Sequence, residues 1–159
     1  MITILVTGGT ISKSYDEISG ELIFDEDSIK KMLSQSRVDG IEIEYLFFKD
    51  SLDLNDSDRE LILKKVLQLQ SDKIIITHGT DTMSKSAEKL SSIKNKTIIL
   101  TGAMIPFAFK NSDALFNLGT AFGGISTLKQ GVYIVMNGTI FSWDSVKKDK
   151  KMGRFVTKS

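Results

Sequence analysis

Thr10 and the pair Thr80-Asp81 are the residues of this chain best suited to do chemistry. They lie in two motifs, Thr7-Gly8-Gly9-Thr10-Ile11 and Thr77-His78-Gly79-Thr80-Asp81-Thr82, and each motif follows a short apolar, β-branched run. Glycine lets the backbone turn sharply, and threonine sets a hydroxyl at the mouth of whatever site the turn forms. Two hydroxyl-bearing loops, one with a carboxylate, suit covalent acyl transfer. A neutral threonine is a poor nucleophile, so Thr10 needs a proton acceptor and dipoles that receive oxyanion charge. The residues alone leave a second reading open at each motif. Gly8-Gly9-Thr10 also reads as a tight turn with a helix cap, and Thr80 or Asp81 as the cap of a following helix. Capping and catalysis are compatible at the second motif, because a helix N-terminus attracts anionic groups.

Other chemistries fit the residues poorly. The third glycine of a dinucleotide fingerprint is missing, and no Gly-Lys-Ser/Thr triplet follows Gly9 to make a phosphate loop. His78 is the only histidine and has no metal-ligand partners at useful spacing, so it reads as a hydrogen-bonded structural residue. No Gly-x-Ser-x-Gly elbow accompanies it. The absence of cysteine excludes thiol catalysis and Cys-built zinc sites. The expectation is a reaction without cofactor or metal.

The elements that must hold these residues follow from pattern. The 159 residues read as one domain, residues 1–159, large enough for a core without disulfide or metal staples. Hydrophobic content of 41% and charged content of 26% are ordinary for a globular chain. A net charge of +1 gives no general pull toward nucleic acid or a membrane surface. No basic segment followed by a long apolar core opens the sequence, and no apolar stretch reaches membrane-spanning length; the cytoplasm is the expected location.

Residues 2–7 predict a first strand and 41–48 a second, alternating one. The third, fourth and fifth strands are predicted at 73–77, 97–101 and 131–136. Helices are predicted from Asp27-Ser28 to about Ser36, from Asn55 or Ser57 through Leu69, from Asp81 to about Ser92, and from about Ser112 to Ile125. Ser19-Gly20-Glu21 marks the turn of a mobile hairpin over 12–25. Strands alternating with amphipathic helices predict a doubly wound α/β fold with a mostly parallel sheet and flanking helices. Ligands in such sheets bind beyond the carboxyl ends of strands, where both motifs fall. The basic stretch from Lys147 to Ser159 has no obvious core face and reads as a solvated tail.

The two motifs resemble the signatures of bacterial-type L-asparaginases. The resemblance continues through Asp50-Ser51-Leu52-Asp53-Leu54, Thr101-Gly102-Ala103-Met104, Ser112-Asp113-Ala114-Leu115-Phe116-Asn117-Leu118 and Val135-Met136-Asn137-Gly138, in the family's order. It covers nearly the whole chain and points to a short, single-domain branch that lacks the C-terminal domain of long members. It implies a Rossmann-like or flavodoxin-like fold and a double displacement at an amide. Thr10 then matches the nucleophile that releases ammonia, and Tyr15 the mobile-loop tyrosine that hydrogen-bonds it. Ser51 matches the serine that binds the substrate α-carboxylate, and Asp81 the acid that receives the α-amino group. Thr80 matches a second threonine, working with Asp81 and a lysine. The pattern after Val135-Met136-Asn137 favours Lys148 for that lysine, with Lys147 as the alternative. A lysine that takes a proton must leave water, so the resemblance moves Lys148 out of the solvated tail.

Two departures bear on recognition. Leu52 stands where long members carry glutamine, and their substrate-contacting acid from a neighbouring C-terminal domain has no counterpart in the sequence. The implied activity is hydrolysis of L-asparagine to aspartate and ammonia in a homo-oligomer, a dimer or larger. The rival readings are a non-catalytic amino-acid sensor or partner-binding module, and an amidase component that supplies ammonia to a partner.

Overall fold

Runs such as Ile74-Ile75-Ile76 and Ile98-Ile99-Leu100 are apolar at every position, which suits a strand whose two faces are both covered. The computed structural model describes residues 1–159. Along the chain run β1 (Ile2–Gly8), a hairpin of β2 (Lys13–Asp16) and β3 (Glu21–Phe24), α1 (Ser28–Gln35), β4 (Glu42–Lys49) and α2 (Asp56–Gln68). Then come β5 (Lys73–Thr77), α3 (Met83–Leu90), β6 (Thr97–Thr101), α4 (Ala114–Ile125), β7 (Gly131–Met136), β8 (Thr139–Ser142), β9 (Val146–Asp149) and β10 (Arg154–Thr157). The central sheet has the order β4-β1-β5-β6-β7-β8, parallel except for β8. The fold is α/β with a mostly parallel sheet, as the pattern predicts.

Alternation along each strand sorts the core into two layers. Leu5, Ile74, Ile76, Ile98, Leu100 and Ile134 pack with Ile62 and Val66 of α2 and Met83, Ala87 and Leu90 of α3. Ile4, Val6, Ile75, Ile99 and Val135 pack on the other face with Ile29 and Met32 of α1 and Leu118, Ala121 and Ile125 of α4. Helix α2 opens on a reciprocal cap: Asn55 Oδ1 accepts the Asp58 N–H, and the Asp58 carboxylate accepts the Asn55 N–H.

Two expectations change, and one strand is added. Helix α3 starts at Met83, so neither Thr80 nor Asp81 caps it; Thr82 holds the N-cap position. Strand β8 follows an Asn137-Gly138 turn in which both residues have positive φ, 55° and 67°. That is the type I′ geometry whose twist suits a two-residue hairpin, and Asn-Gly is its usual signal. The basic C-terminal stretch is a hairpin rather than a solvated tail. Its Val146 and Phe155 are fully enclosed in the α2/α3 layer, each burial stabilising by roughly 2 kcal/mol. Its lysines point largely outward, which is why no apolar face is visible in the sequence.

Candidate active site

Strands β1 and β5 are neighbours, with Val6 opposite Thr77, and the chain leaves the sheet at the same edge from both. This is the point where strand order reverses, the usual ligand position in an open α/β sheet. The Thr7 hydroxyl donates to the Thr77 carbonyl at 2.7 Å and locks the two strand ends together. Gly9 then turns at φ 81°, and a Cβ there would collide with the Gly79 backbone nitrogen. The two loops meet backbone to backbone because both residues are glycine.

Thr10 opens a single 3₁₀ turn, Thr10–Ser12, whose Ile11 and Ser12 are buried. Thr10 itself is half-buried, and its hydroxyl makes no hydrogen bond within the chain. It lines a cleft of about 300 Å³ with Asp50, Ser51, Leu52, Asp53, Gly79, Thr80 and Asp81.

Lys148, on β9, reaches two residues of the cleft wall. Its Nζ donates to Thr80 Oγ1 at 2.7 Å and to Asp81 Oδ1 at 2.8 Å, with 14% of the lysine side chain exposed. Strand alternation puts Lys148 on the same side as the buried Val146 and turns Lys147 to solvent. The geometry therefore brings Lys148, and not Lys147, to Thr80 and Asp81.

The third wall is the turn Ser51–Asp53 after β4. Ser51 is tied to the second motif twice: its Oγ accepts the Thr82 N–H at 3.2 Å, and its carbonyl accepts the Thr82 hydroxyl at 2.7 Å. Gly79 makes the approach possible, since a Cβ there would stand 2.7 Å from the Ser51 Cβ. The serine thus keeps its own hydroxyl hydrogen uncommitted. Asp50 is neutralised by Lys13 at 2.7 Å.

His78 serves the loop from behind. It is fully buried, with Nδ1 2.7 Å from the Gly79 carbonyl and Nε2 2.7 Å from Ser86 Oγ. A carbonyl only accepts, so Nδ1 carries the proton and Nε2 accepts from Ser86. Burial pushes the imidazole down to about 4, so the ring is neutral at pH 7. It orients the Gly79 peptide from behind and does not itself line the cleft, in keeping with the structural role expected from the sequence.

Hydroxyls at the edge of a parallel sheet, a lysine bonded to threonine and aspartate, and a serine loop together form a constellation suited to acyl transfer without a metal. A family model described as "Asparaginase, N-terminal" matches residues 1–154. The chain belongs to the asparaginase family. It is 33% identical over 159 residues to the L-asparaginase of Thermococcus kodakarensis, covering 96% of this chain and 48% of that protein. L-asparaginase 2 of Escherichia coli is 30% identical, over 92% of this chain and 46% of its own length. A component of the glutamyl-tRNA(Gln) amidotransferase of Methanococcus maripaludis is also 30% identical, over 86% of this chain and 35% of that component. The solved T. kodakarensis L-asparaginase superposes with a TM-score of 0.85 at 31% identity, covering 98% of this chain and 50% of that one. The chain spans about half the length of the curated L-asparaginases it matches.

Within this asparaginase domain, Thr10, Ser51, Thr80, Asp81 and Lys148 come together, but Tyr15 does not. It lies on β2, is 59% exposed, and makes no hydrogen bond to Thr10. The hairpin is anchored at its base by Lys13 on Asp50, and Tyr15 stands two residues farther out, where β2 pairs only with β3. Sequence reasoning missed the supporting residues. Asp113 collects the N–H groups of Met104 and Ile105, and Asn117 donates to the Gly102 carbonyl and to Asp113. The signal available was a polar residue, Asn117, at a core-facing position of α4, where burial demands partners.

Proposed function

We propose that this chain hydrolyses the side-chain amide of L-asparagine to L-aspartate and ammonia through a threonine ester. Thr10 Oγ attacks the amide carbon, its proton passes toward the departing nitrogen, and collapse of the tetrahedral intermediate breaks the C–N bond to release ammonia. Water then attacks the ester carbon, and the C–O bond to Thr10 breaks to give the carboxylate. Thr80, Asp81 and Lys148 relay the proton, and the same Asp81 receives the substrate ammonium group. Ser51 donates to the α-carboxylate. Tyr15 joins the site when the β2–β3 hairpin closes, which shields the ester from stray water. A second copy of the chain closes the open side of the cleft.

The observation that carries this reading is the placement of Lys148 Nζ on both Thr80 and Asp81, two residues that line the cleft together with Thr10 and its unbonded hydroxyl. The test is ammonia release by the purified chain from asparagine and glutamine, with Thr10→Ala beside it. Loss of the nucleophile should remove roughly 5 kcal/mol or more of barrier lowering while the thermal midpoint holds. Retention of about a tenth of turnover or more, a loss of only ~1.4 kcal/mol, would remove Thr10 from that role.

A second reading is an amidase that supplies ammonia to partner proteins, favoured by the similarity to the amidotransferase component. Turnover of glutamine that appears only with such partners would select it.

A further inference from the structure

Resting on the proposed roles of Lys148 and Thr80, we infer that Asn137 is a positioning residue whose side chain pins the Lys148 hairpin to the central sheet. An asparagine at the first position of a type I′ turn has an ordinary explanation, tolerance of left-handed φ. Its side chain here does something the turn does not require. Asn137 Oδ1 accepts the backbone N–H of Phe155 at 2.8 Å, from 18 residues later in the chain. Phe155 is the register partner of Lys148 across β9 and β10.

The hairpin forms its own two-stranded sheet, separate from the central one. Apart from the Lys148 contacts to Thr80 and Asp81, the Phe155–Asn137 bond is the only hydrogen bond between residues 146–157 and the rest of the fold. Asn137 is itself held firmly: its N–H donates to Asn117 Oδ1 at 3.0 Å. Asn117 in turn grips the Gly102 carbonyl at 2.9 Å and Asp113 at 3.0 Å. A polar chain therefore runs from the end of β6 through Asn117 and Asn137 to the strand facing the lysine. The packing of Val146 and Phe155 holds the hairpin against the core, and the hydrogen bond fixes its slide along the sheet. A small misplacement of a catalytic group costs far more rate than stability.

Glycine and aspartate both suit the turn, but only aspartate keeps an acceptor. In the full chain, Asn137→Gly should lower kcat for asparagine by about tenfold or more, with KM within about twofold and a nearly unchanged thermal midpoint. The Phe155 amide should exchange with solvent at least about tenfold faster. Asn137→Asp should restore both to within about twofold of the unsubstituted chain. An Asn137→Gly variant with undiminished kcat, or an Asn137→Asp variant as impaired as the glycine one, overturns the inference. If the unsubstituted chain releases no ammonia from asparagine, the proposed function fails instead. The exchange measurement at Phe155 then tests the anchor by itself.

Discussion

Lys148 Nζ stands 2.7 Å from the Thr80 hydroxyl across 68 residues of chain. The separation is bridged by two unrelated devices. The parallel sheet delivers Thr80 to the edge, and a separate β-hairpin brings the lysine back over it. Neither device works without the other, so the lysine is a sensitive point at which to test the site.

Lys148→Met preserves the aliphatic stem and removes the amine. Ammonia release should fall by about 10²-fold or more, equivalent to roughly 2.7 kcal/mol. Lys147→Met, which alters a side chain turned to solvent, should leave turnover within about twofold. Exchanged phenotypes, measured on variants with equal melting points, would reassign the proton relay.

His78 makes stability depend on pH. The unfolded chain takes up a proton near 6.5, whereas the buried ring resists until about 4. Between those values the unfolded state binds more protons, so stability rises with pH across the window and is lost as acid is added. The expected loss is about 3 kcal/mol by pH 4. An NMR titration of the single imidazole should find it neutral at pH 5.5; a charged ring there would refute the linkage.

Leu52 lies on the Ser51–Asp53 turn, lines the cleft and is 70% exposed. It offers no hydrogen bond to a substrate ammonium group. Leu52→Gln should lower KM for asparagine by about fivefold with little change in kcat, the signature of added uniform binding. An unchanged KM in a normally folded variant would mean that the side chain faces away from the bound amide.

The β2–β3 hairpin should close on ligand. Its turn at Ser19-Gly20 is exposed, and Lys13 on Asp50 is the ion pair that ties it to the cleft. Aspartate should suppress nicking at that turn by a nonspecific protease, and Lys13→Met should raise nicking in the absence of ligand. Equal cleavage with and without aspartate would count against closure.

Much of this architecture is legible in the residues. Ile74-Ile75-Ile76 and Ile98-Ile99-Leu100 announce doubly covered strands, and the two Gly-Thr motifs fall where such strands end. The C-terminal hairpin was hidden because only Val146 and Phe155, nine residues apart, face the core, too few to set a period. Asn137-Gly138 carried the turn signal for β8, but its side-chain bond to Phe155 is a tertiary event with no local pattern. Tyr15 shows a related limit: the turn signal places it on the hairpin, while no local pattern sets the angle of the hairpin to the cleft.

Gly9 and Gly79 touch across the gap between two loops, and Gly79 also touches the serine turn. Neither carries a functional group, yet a methyl at either would wedge apart the loops whose spacing shapes the cleft. A saturation scan scored by ammonia release alone would place these two positions in the same intolerant class as Thr10. Thermal melts separate them: the glycine variants should lose fold and turnover together, while Thr10→Ala keeps the fold. In each motif of this chain, then, neighbouring letters answer separate demands: clearance at Gly9 and Gly79, and a hydroxyl facing the cleft at Thr10 and Thr80.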